Sequence, residues 1–191
     1  MQLILASASP RRKALLSLFG LPFTVRAADI DETMDPEKPP FDEVARVSRS
    51  KALAVSREEE DIVIAADTIV VCEGKVLGKP HSEEEAASML RLLSGRDHQV
   101  MTGCTILYGD RVETFTEVTS LHFRPLSEKE IQRYVQSGEP MDKAGAYGIQ
   151  GGAALFCEKL EGDYYNVMGL PVCRLYETLC RTAPEVMEDT I

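Results

Sequence analysis

One aspartate lies in an apolar segment, where a carboxylate is energetically unfavourable. Asp67 interrupts residues 62–71, an otherwise apolar and largely β-branched run. An unpaired carboxylate buried in such a run would be strongly destabilising, so something must compensate its charge. Two interpretations are equally open: an aspartate at a strand end that accepts a hydrogen bond from a backbone N–H, and a catalytic or metal-binding carboxylate.

Three cations follow a serine-rich segment near the N-terminus. Residues 7–13 read Ser-Ala-Ser-Pro-Arg-Arg-Lys, and we expect them to join a strand to the start of a helix. Acidic residues normally occupy a helix start because of its dipole. Consecutive cations beside free backbone N–H groups therefore indicate an anion, for which a phosphate is suitable. The alternative is a solvated basic turn.

Three further lysines could contribute to an anion site. Lys79 lies between Gly78 and Pro80, and Lys143 lies in a segment with four glycines in eight residues. Lys51 lies at the margin of an apolar helical stripe formed by Phe41, Val44, Ala45, Ala52 and Val55. Glycines allow a backbone to approach a ligand closely. A lysine at the edge of a stripe is more often snorkelling, with its stem on apolar surface and its ammonium in water. Taken together, the cations favour a local positive pocket for a multiply charged anion.

Carboxylates could balance such a pocket through a metal ion. Glu32, Asp67 and Asp142 are oxygen donors that suit a hard cation bridging phosphates, and Mg²⁺ is the default, with Mn²⁺ as the alternative. The three histidines are isolated and are expected to be surface or structural residues. The five cysteines lack a C-x-x-C pair, so we expect small buried apolar residues rather than a disulfide framework or a zinc site.

Composition limits the class of protein. The 191 residues include 21 Lys and Arg against 31 Asp and Glu, a net charge of −10 that disfavours broad nucleic-acid binding. No apolar run approaches the roughly 20 residues that span a bilayer. The first six residues lack the basic region of a signal peptide, so a cytoplasmic protein is expected. The absence of P-loop, Rossmann and nucleophile-elbow motifs removes the main support for three large enzyme classes.

The elements that position these residues alternate between strands and helices. The patterns predict one domain over residues 1–191, possessing a mixed sheet in an α/β architecture, with residues 62–71 as the central strand and Glu73-Gly74 as a hairpin turn. Ser9, Ser82 and Ser127 are predicted to cap helices, the last two through capping boxes. The other predicted strands are 3–6, 23–27, 75–77, 99–108, 112–123 and 153–157. The predicted helices begin near residues 10, 41, 83, 128 and 172; the second ends near Ser56, and residues 182–191 are expected to fray.

Six motifs in unbroken order resemble those of the Maf family of nucleotide pyrophosphatases, over about residues 1–180. Of these, the run from 137 to 151 is the most specific. The motifs are SASPRR (7–12), ADT (66–68), GKP (78–80), LSGR (93–96), SGEPMDKAGAYGIQG (137–151) and GDYYNVMGLP (162–171).

The resemblance implies a fold, a reaction and roles for residues. It implies an elongated mixed α/β fold with two lobes and a central cleft, similar to that of inosine triphosphate pyrophosphatases. It also implies hydrolysis of a nucleoside triphosphate to the monophosphate and pyrophosphate, a house-cleaning activity on nucleotide pools, and a homodimer. Asp67 matches the general-base position. The matched phosphate and metal ligands are Ser7, Arg12, Glu32, Lys51 and Lys79. Arg11, Thr68 and Gln150 stand where the branch that prefers dTTP and UTP carries its specificity residues.

The residues alone leave the role of Asp67 open between general base and metal ligand. Two other functions are alternatives to the enzyme. A non-catalytic nucleotide-binding regulator of cell division or septum formation is also suggested by the resemblance, but it would gain nothing from an unpaired carboxylate beside phosphates. A nucleotidyl or sugar-phosphate transferase would need a second acceptor pocket. The enzyme is therefore favoured.

Overall fold

A computed structural model describes residues 1–55 and 57–187 of the chain. Its sheet has seven strands: β1 (Leu3–Leu5), β2 (Phe23–Val25), β3 (Ile62–Cys72), β4 (Lys75–Leu77), β5 (Asp97–Tyr108), β6 (Arg111–Phe123) and β7 (Cys157–Glu161). The strand order is β2-β1-β3-β5-β6-β7, and β4 pairs with β3. Since β1 is parallel to β2 and β3, whereas β3–β4 and β6–β7 are antiparallel, the predicted mixed sheet with a central β3 is confirmed.

The described residues also form seven α-helices. They are α1 (Pro10–Leu16), α2 (Pro40–Ala54), α3 (Glu83–Leu93), α4 (Glu128–Gln136), α5 (Tyr164–Met168), α6 (Val172–Thr182) and α7 (Pro184–Met187). The capping box of α4 is confirmed, because Ser127 and Glu130 each accept a hydrogen bond from the other's backbone N–H. At α3 only half of the predicted box forms. Ser82 accepts from the Glu85 N–H, but the Glu85 carboxylate accepts from His81 instead.

The chain forms two compact units. The first unit contains residues 1–67, 102–117 and the described residues from Gly169 onward; the second contains 68–101 and 118–168. In the first unit, β1 and β3 pair in register from Leu3 opposite Ile62, and their apolar side chains pack with α2. Gly103 on β5 makes this packing close, because a Cβ there would lie 2.3 Å from the Val44 carbonyl oxygen. The sheet thus fixes the helix that carries Lys51.

The second unit has its own apolar core between α3, α4 and the sheet. Phe123 contacts three rings: Tyr147 at 4.8 Å between centroids, His98 at 4.7 Å and Phe156 at 6.0 Å. His98 is 2% exposed, and its Nε2 lies 2.9 Å from the Tyr147 hydroxyl. The aromatic cluster therefore anchors the glycine-rich segment, to which Tyr147 belongs, in the core.

The structure differs from the expected strand over residues 153–157. Four of these five residues lie outside any strand: Gly152–Leu155 is a 3-10 turn, with the Phe156 N–H donating to Ala153, and the strand begins at Cys157. Small residues without β-branching explain the turn. Helix α7 follows Thr182 and Met187 is buried, whereas residues 188–191, the end of the tail that is expected to fray, lie outside the described residues.

The cysteines only partly follow the expectation. Cys72 and Cys104 are buried, Cys157 and Cys180 are partly exposed, and Cys173 is exposed; all five are free. The prediction of buried apolar residues is thus wrong for three of them, since α6 and β7 each present one side outward. The second helix ends at Ala54, and its predicted end at Ser56 lies outside the described residues. Over the described residues, no helix has both the length and the apolar character to cross a membrane.

Stability should fall between pH 6.5 and pH 4.5 because of His98. Burial lowers the pKa of this imidazole from 6.5 to about 4. The unfolded chain therefore takes up a proton as the pH falls through 6.5, whereas the folded chain does not until about pH 4. The full effect, complete only near pH 4, is about 3 kcal/mol of unfolding free energy. Urea unfolding of the wild type at several pH values between 7.0 and 4.5 measures it.

The control separates this histidine from the rest of the protein. His98→Gln should lose most of the pH dependence in that range, whatever its absolute stability, whereas His81→Gln at an exposed position should keep it. Carboxylates with pKa values of about 2, such as Glu43 and Glu130, lose their contribution only below pH 4.5 and do not interfere. An unchanged pH slope in His98→Gln contradicts the assignment.

Candidate active site

A buried lysine joins two carboxylates in the first unit. The Lys51 ammonium lies 2.8 Å from Asp67 Oδ1 and 2.9 Å from Glu32 Oε1. Lys51 and Asp67 are only 7% and 8% exposed, whereas Glu32 is exposed. We refer to these three residues as the lysine–carboxylate trio. Helix α2 supplies the lysine, β3 supplies Asp67, and the loop between β2 and α2 supplies Glu32.

This geometry decides two of the alternatives raised by the sequence. Lys51 is not snorkelling, because its ammonium is buried against carboxylates rather than placed in water. Asp67 is not at a strand end; it lies inside β3, and its charge is compensated by a side chain. The buried face of α2 also differs from the predicted stripe, because Phe41 is 46% exposed whereas Lys51 lies within the buried face.

The start of α1 brings more polar groups into the same unit. Ser9 is the N-cap, Pro10 the first helical residue, and the Ser9 hydroxyl accepts from the Arg12 N–H, as predicted. The buried Ser7 hydroxyl accepts from the Ser9 N–H and from the Arg12 guanidinium at 3.1 Å. Arg12 Nε also donates to the Gly169 carbonyl at 2.8 Å. The guanidinium is thereby held in one orientation.

Charges around Arg12 place it beside the trio. Burial lowers the pKa of Arg12 below its usual value, and the negative charges of Asp67 and Glu32 oppose that shift. The neighbouring Arg11 adds to the lowering, since a like charge disfavours the protonated form. Cys104 also lies close by, and burial raises the pKa of its thiol to about 12, so it remains protonated and apolar. The first unit thus gathers Ser7, Arg11, Arg12 and the trio.

A buried glutamate holds the loop that carries Glu32. Both oxygens of Glu43 accept from the Arg46 guanidinium, and one also accepts from the Asp35 N–H at 2.8 Å. Arg46 in turn donates to the carbonyl of Thr33, next to Glu32. These bonds, first those from Arg46, lower the pKa of Glu43 from 4.5 to about 2.

The Glu43–Arg46 pair and its hydrogen bonds to the loop are not predicted from the sequence. Residues 43, 47 and 51 are four apart and therefore share one helical face. The position of Glu43 on the face that buries Lys51 was the available signal. A glutamate on a buried helical face requires a partner, and Arg46 three residues later was the nearest candidate.

The second unit carries the other predicted site residues. Gly145 N–H donates to the Gly78 carbonyl at 3.0 Å, which brings the segment with Lys79 against the glycine-rich segment. Lys79 and Gln150 are exposed, and Thr68 is partly buried on β3. Lys143 donates to Asp142 Oδ1 and to the Glu139 carbonyl, both at 2.6 Å. Its charge therefore has protein partners already.

Two carboxylates in the first unit could donate to a metal ion. Glu32 and Asp67 each direct an oxygen at the same ammonium, so both belong to one small site. Among the described residues, no group of three or more His, Cys, Asp or Glu side chains could hold a metal ion. Two carboxylates fit Mg²⁺, which commonly takes its remaining ligands from substrate phosphates and water.

The fold and the trio define a mixed α/β protein with a buried lysine–carboxylate cluster in the same unit as the basic start of α1. A family model described as Maf-like protein matches residues 2–182, and the chain belongs to that family. A dTTP/UTP pyrophosphatase of Halalkalibacterium halodurans is 53% identical over 178 residues, covering 93% of this chain and 94% of that protein. One of Bacillus velezensis, with the same name, is 51% identical over 179 residues, covering 93% and 95%.

Two solved structures resemble the chain more distantly. A nucleoside-triphosphatase, also described as a dITP/XTP pyrophosphatase, from Mycobacterium abscessus is 13% identical with a TM-score of 0.43, covering 66% of this chain and 76% of its own. The Ham1 protein of Staphylococcus aureus is 17% identical with a TM-score of 0.42, covering 64% and 72%.

Proposed function

We propose that this protein is a nucleoside triphosphate pyrophosphatase that hydrolyses dTTP and UTP to the monophosphate and pyrophosphate. The observation that carries the proposal is the buried Asp67, held by Lys51 beside a helix start that presents Ser7 and Arg12. Relatives about half identical over nearly the whole chain bear the name of this activity. The family and the enzyme class that the sequence predicts agree with this activity.

Electrostatics supply most of the catalysis in this proposal. Ser7, Arg12 and Lys51 bind the triphosphate and stabilise the negative charge that develops on the leaving pyrophosphate. Asp67 accepts a proton from a water molecule whose oxygen attacks the α-phosphorus. The bond between the α-phosphorus and the oxygen bridging to the β-phosphorus breaks, and its electron pair leaves with pyrophosphate. Lys79 and Lys143 stay predictions as further phosphate ligands.

A divalent cation completes the proposed site. Glu32 and Asp67 would hold Mg²⁺, or Mn²⁺, together with phosphate oxygens. Such an ion, when bound, neutralises phosphate charge and polarises the phosphoryl oxygens. The site without it already carries the Lys51 charge between the same two oxygens, so a cation would share them with that lysine. The role of Asp67 as base or as metal ligand stays a prediction.

Base selectivity is assigned to Arg11, Thr68 and Gln150, as the resemblance implies. Uracil and thymine present two carbonyl acceptors around one N3–H donor. Gln150, whose carboxamide offers one acceptor and two donors, could with its neighbours present one acceptor between donors to that edge. Cytosine instead presents an acceptor at N3 and an amino group at C4, so its polar groups would remain unpaired. Sites built on hydrogen bonds reject such mismatches strongly.

A panel of nucleoside triphosphates with Mg²⁺ tests the proposal. We expect UTP and dTTP to be converted to monophosphate and pyrophosphate, CTP and dCTP to be poor substrates, and ribose and deoxyribose to be treated alike. Chromatography of the products identifies the bond that breaks. Release of orthophosphate in place of pyrophosphate would refute the reaction, and equal rates with CTP or 7-methyl-GTP would refute the base-reading role while leaving the reaction in place.

The regulatory alternative is not favoured. A binding module would gain nothing from Asp67, because a carboxylate beside bound phosphates repels them. Its buried position beside Lys51 and Arg12 is better explained by catalysis. The homodimer, the cytoplasmic location and the absence of nucleic-acid binding stay predictions.

A further inference from the structure

The glycine-rich segment of the second unit is attached to two polar side chains. The Tyr134 hydroxyl accepts a hydrogen bond from the Gly148 N–H at 3.0 Å and donates one to Glu139 Oε1 at 2.9 Å. The other oxygen of Glu139 accepts from the Gly152 N–H at 3.0 Å. Tyr134 lies on α4, and Glu139 begins the turn that follows it. We call Tyr134 and Glu139 the tyrosine–glutamate clamp.

The clamp holds the backbone on both sides of Gln150. Between the two anchored amides the chain makes one turn, in which the Gly151 N–H donates to the Gly148 carbonyl at 3.0 Å. Gln150 lies in this turn and is exposed. Because both ends of this turn are anchored, the Gln150 side chain can project in few directions.

The glycines of this segment make room for the clamp. A Cβ at Gly151 would lie 2.0 Å from Glu139 Oε1, so only glycine lets the carboxylate reach the Gly152 N–H. A Cβ at Gly148 would lie 2.7 Å from Lys143 Cε. The sequence suggested that these glycines allow approach to a ligand; the structure shows an approach to the protein's own side chains.

The clamp is itself rigidly supported. Tyr134 is 6% exposed, its ring packs edge-on against Phe156 at 5.2 Å between centroids, and burial raises the pKa of its hydroxyl well above 10. The hydroxyl therefore stays protonated and donates a hydrogen bond to Glu139 Oε1. Lys143 donates to the Glu139 carbonyl and fixes the backbone of that residue.

We propose that Tyr134 and Glu139 are positioning residues for base selectivity, because they fix the turn from which Gln150 reads the pyrimidine edge. The inference rests on the proposed function and adds two residues to it that do not touch substrate. Loss of the clamp should loosen the turn and weaken discrimination between uracil and cytosine. It should leave the binding of phosphates intact.

Tyr134→Phe removes one hydroxyl and keeps the ring in the core. We expect the ratio of kcat/KM for UTP to that for CTP to fall by about tenfold or more, since small displacements of positioned groups have effects of this size. The inhibition constant of pyrophosphate should stay near the wild-type value. Glu139→Gln, which loses one of the two acceptor oxygens, should change the same ratio. Gln150→Glu gives the full effect of losing base reading for comparison.

Two controls and a second measurement make the test independent of folding. Tyr164→Phe and Glu128→Gln, at exposed positions of the second unit, should keep the wild-type ratio. Amide hydrogen exchange measured by NMR should be about tenfold or more faster at Gly148 in Tyr134→Phe, and at Gly148 or Gly152 in Glu139→Gln. Should the tyrosine variant fail to fold, the glutamate variant carries both measurements.

The outcomes separate this inference from the proposed function. A wild type that prefers UTP, with the same preference and amide exchange in both variants, overturns the inference alone. Equal loss of activity on UTP and CTP also overturns it, because that result describes a purely structural role. A wild type that hydrolyses neither UTP nor dTTP overturns the proposed function, and the inference with it.

Discussion

Asp67→Asn should lower kcat by roughly 10²- to 10⁴-fold, the contribution typical of a positioned general base. The substitution removes the proton acceptor and one negative charge while keeping the size of the side chain. Removal of that charge also relieves repulsion with the phosphates, so the affinity for nucleotide should be unchanged or higher. Steady-state kinetics with UTP measures kcat, and calorimetry with a non-hydrolysable UTP analogue measures affinity.

A second buried aspartate gives the matched control. Asp61, next to the start of β3, is 3% exposed and accepts hydrogen bonds from the Gln2 and Glu58 N–H groups. These bonds, first that from Glu58, lower the pKa of Asp61. Asp61→Asn should therefore reduce stability and leave the kcat of the folded protein near wild type. Near-normal turnover in Asp67→Asn would refute its assignment as the catalytic residue.

Local signals in the sequence were sufficient for most of the fold. Ser9 with Pro10, and Ser127 with Glu130, are short-range patterns whose hydrogen bonds form within one turn, and both caps occur as predicted. The strand over residues 153–157 was wrong because its apolar composition is equally compatible with a 3-10 turn. The Gly152 N–H at the start of that turn donates to Glu139, 13 residues earlier in the chain, a contact that local composition does not reveal.

The trio could be predicted only in part. The anomaly of Asp67 inside an apolar run pointed to a charged partner, but neither spacing nor composition identifies that partner as Lys51, 16 residues away on another element. Helical phase places Lys51 at the edge of the stripe only if Phe41 faces the core. Phe41 is exposed, and the buried face is rotated toward Glu43 and Lys51.

Long-range polar contacts explain most of what the sequence did not reveal. The Glu43–Arg46 pair and the tyrosine–glutamate clamp each connect a helix to a loop through hydrogen bonds to backbone atoms. The loop residues that receive these bonds carry no side-chain signal, because any residue could offer the same N–H or carbonyl group. Such contacts depend on the tertiary fold and are therefore visible only in the structure.

Lys51→Met should destabilise the protein by about 3–5 kcal/mol, the range found when one partner of a buried ion pair is removed. Asp67 would remain 8% exposed without its cation, and Glu32 would face it across the site with a like charge. Methionine keeps the length and apolar stem of lysine, so the change in packing is small. Urea unfolding at pH 7 measures the loss. Lys13→Met, at an exposed position of α1, is the control and should lie within about 0.5 kcal/mol of wild type.

The relative stabilities of the Asp67 and Lys51 variants distinguish the cost of a buried unpaired charge from the cost of a lost contact. Asp67→Asn should cost less stability than Lys51→Met, because Lys51 keeps Glu32 as a partner at 2.9 Å. In the double variant neither the Asp67 carboxylate nor the Lys51 ammonium remains to be left without the other, and Glu32, which is 53% exposed, can be hydrated. The double variant should therefore be more stable than the sum of the two single effects predicts, with a coupling of roughly 0.5–3 kcal/mol. Additive effects, or a Lys51→Met protein as stable as wild type, would show that the ammonium does not stabilise the fold through Asp67, and that its position is set by the packing of α2 alone.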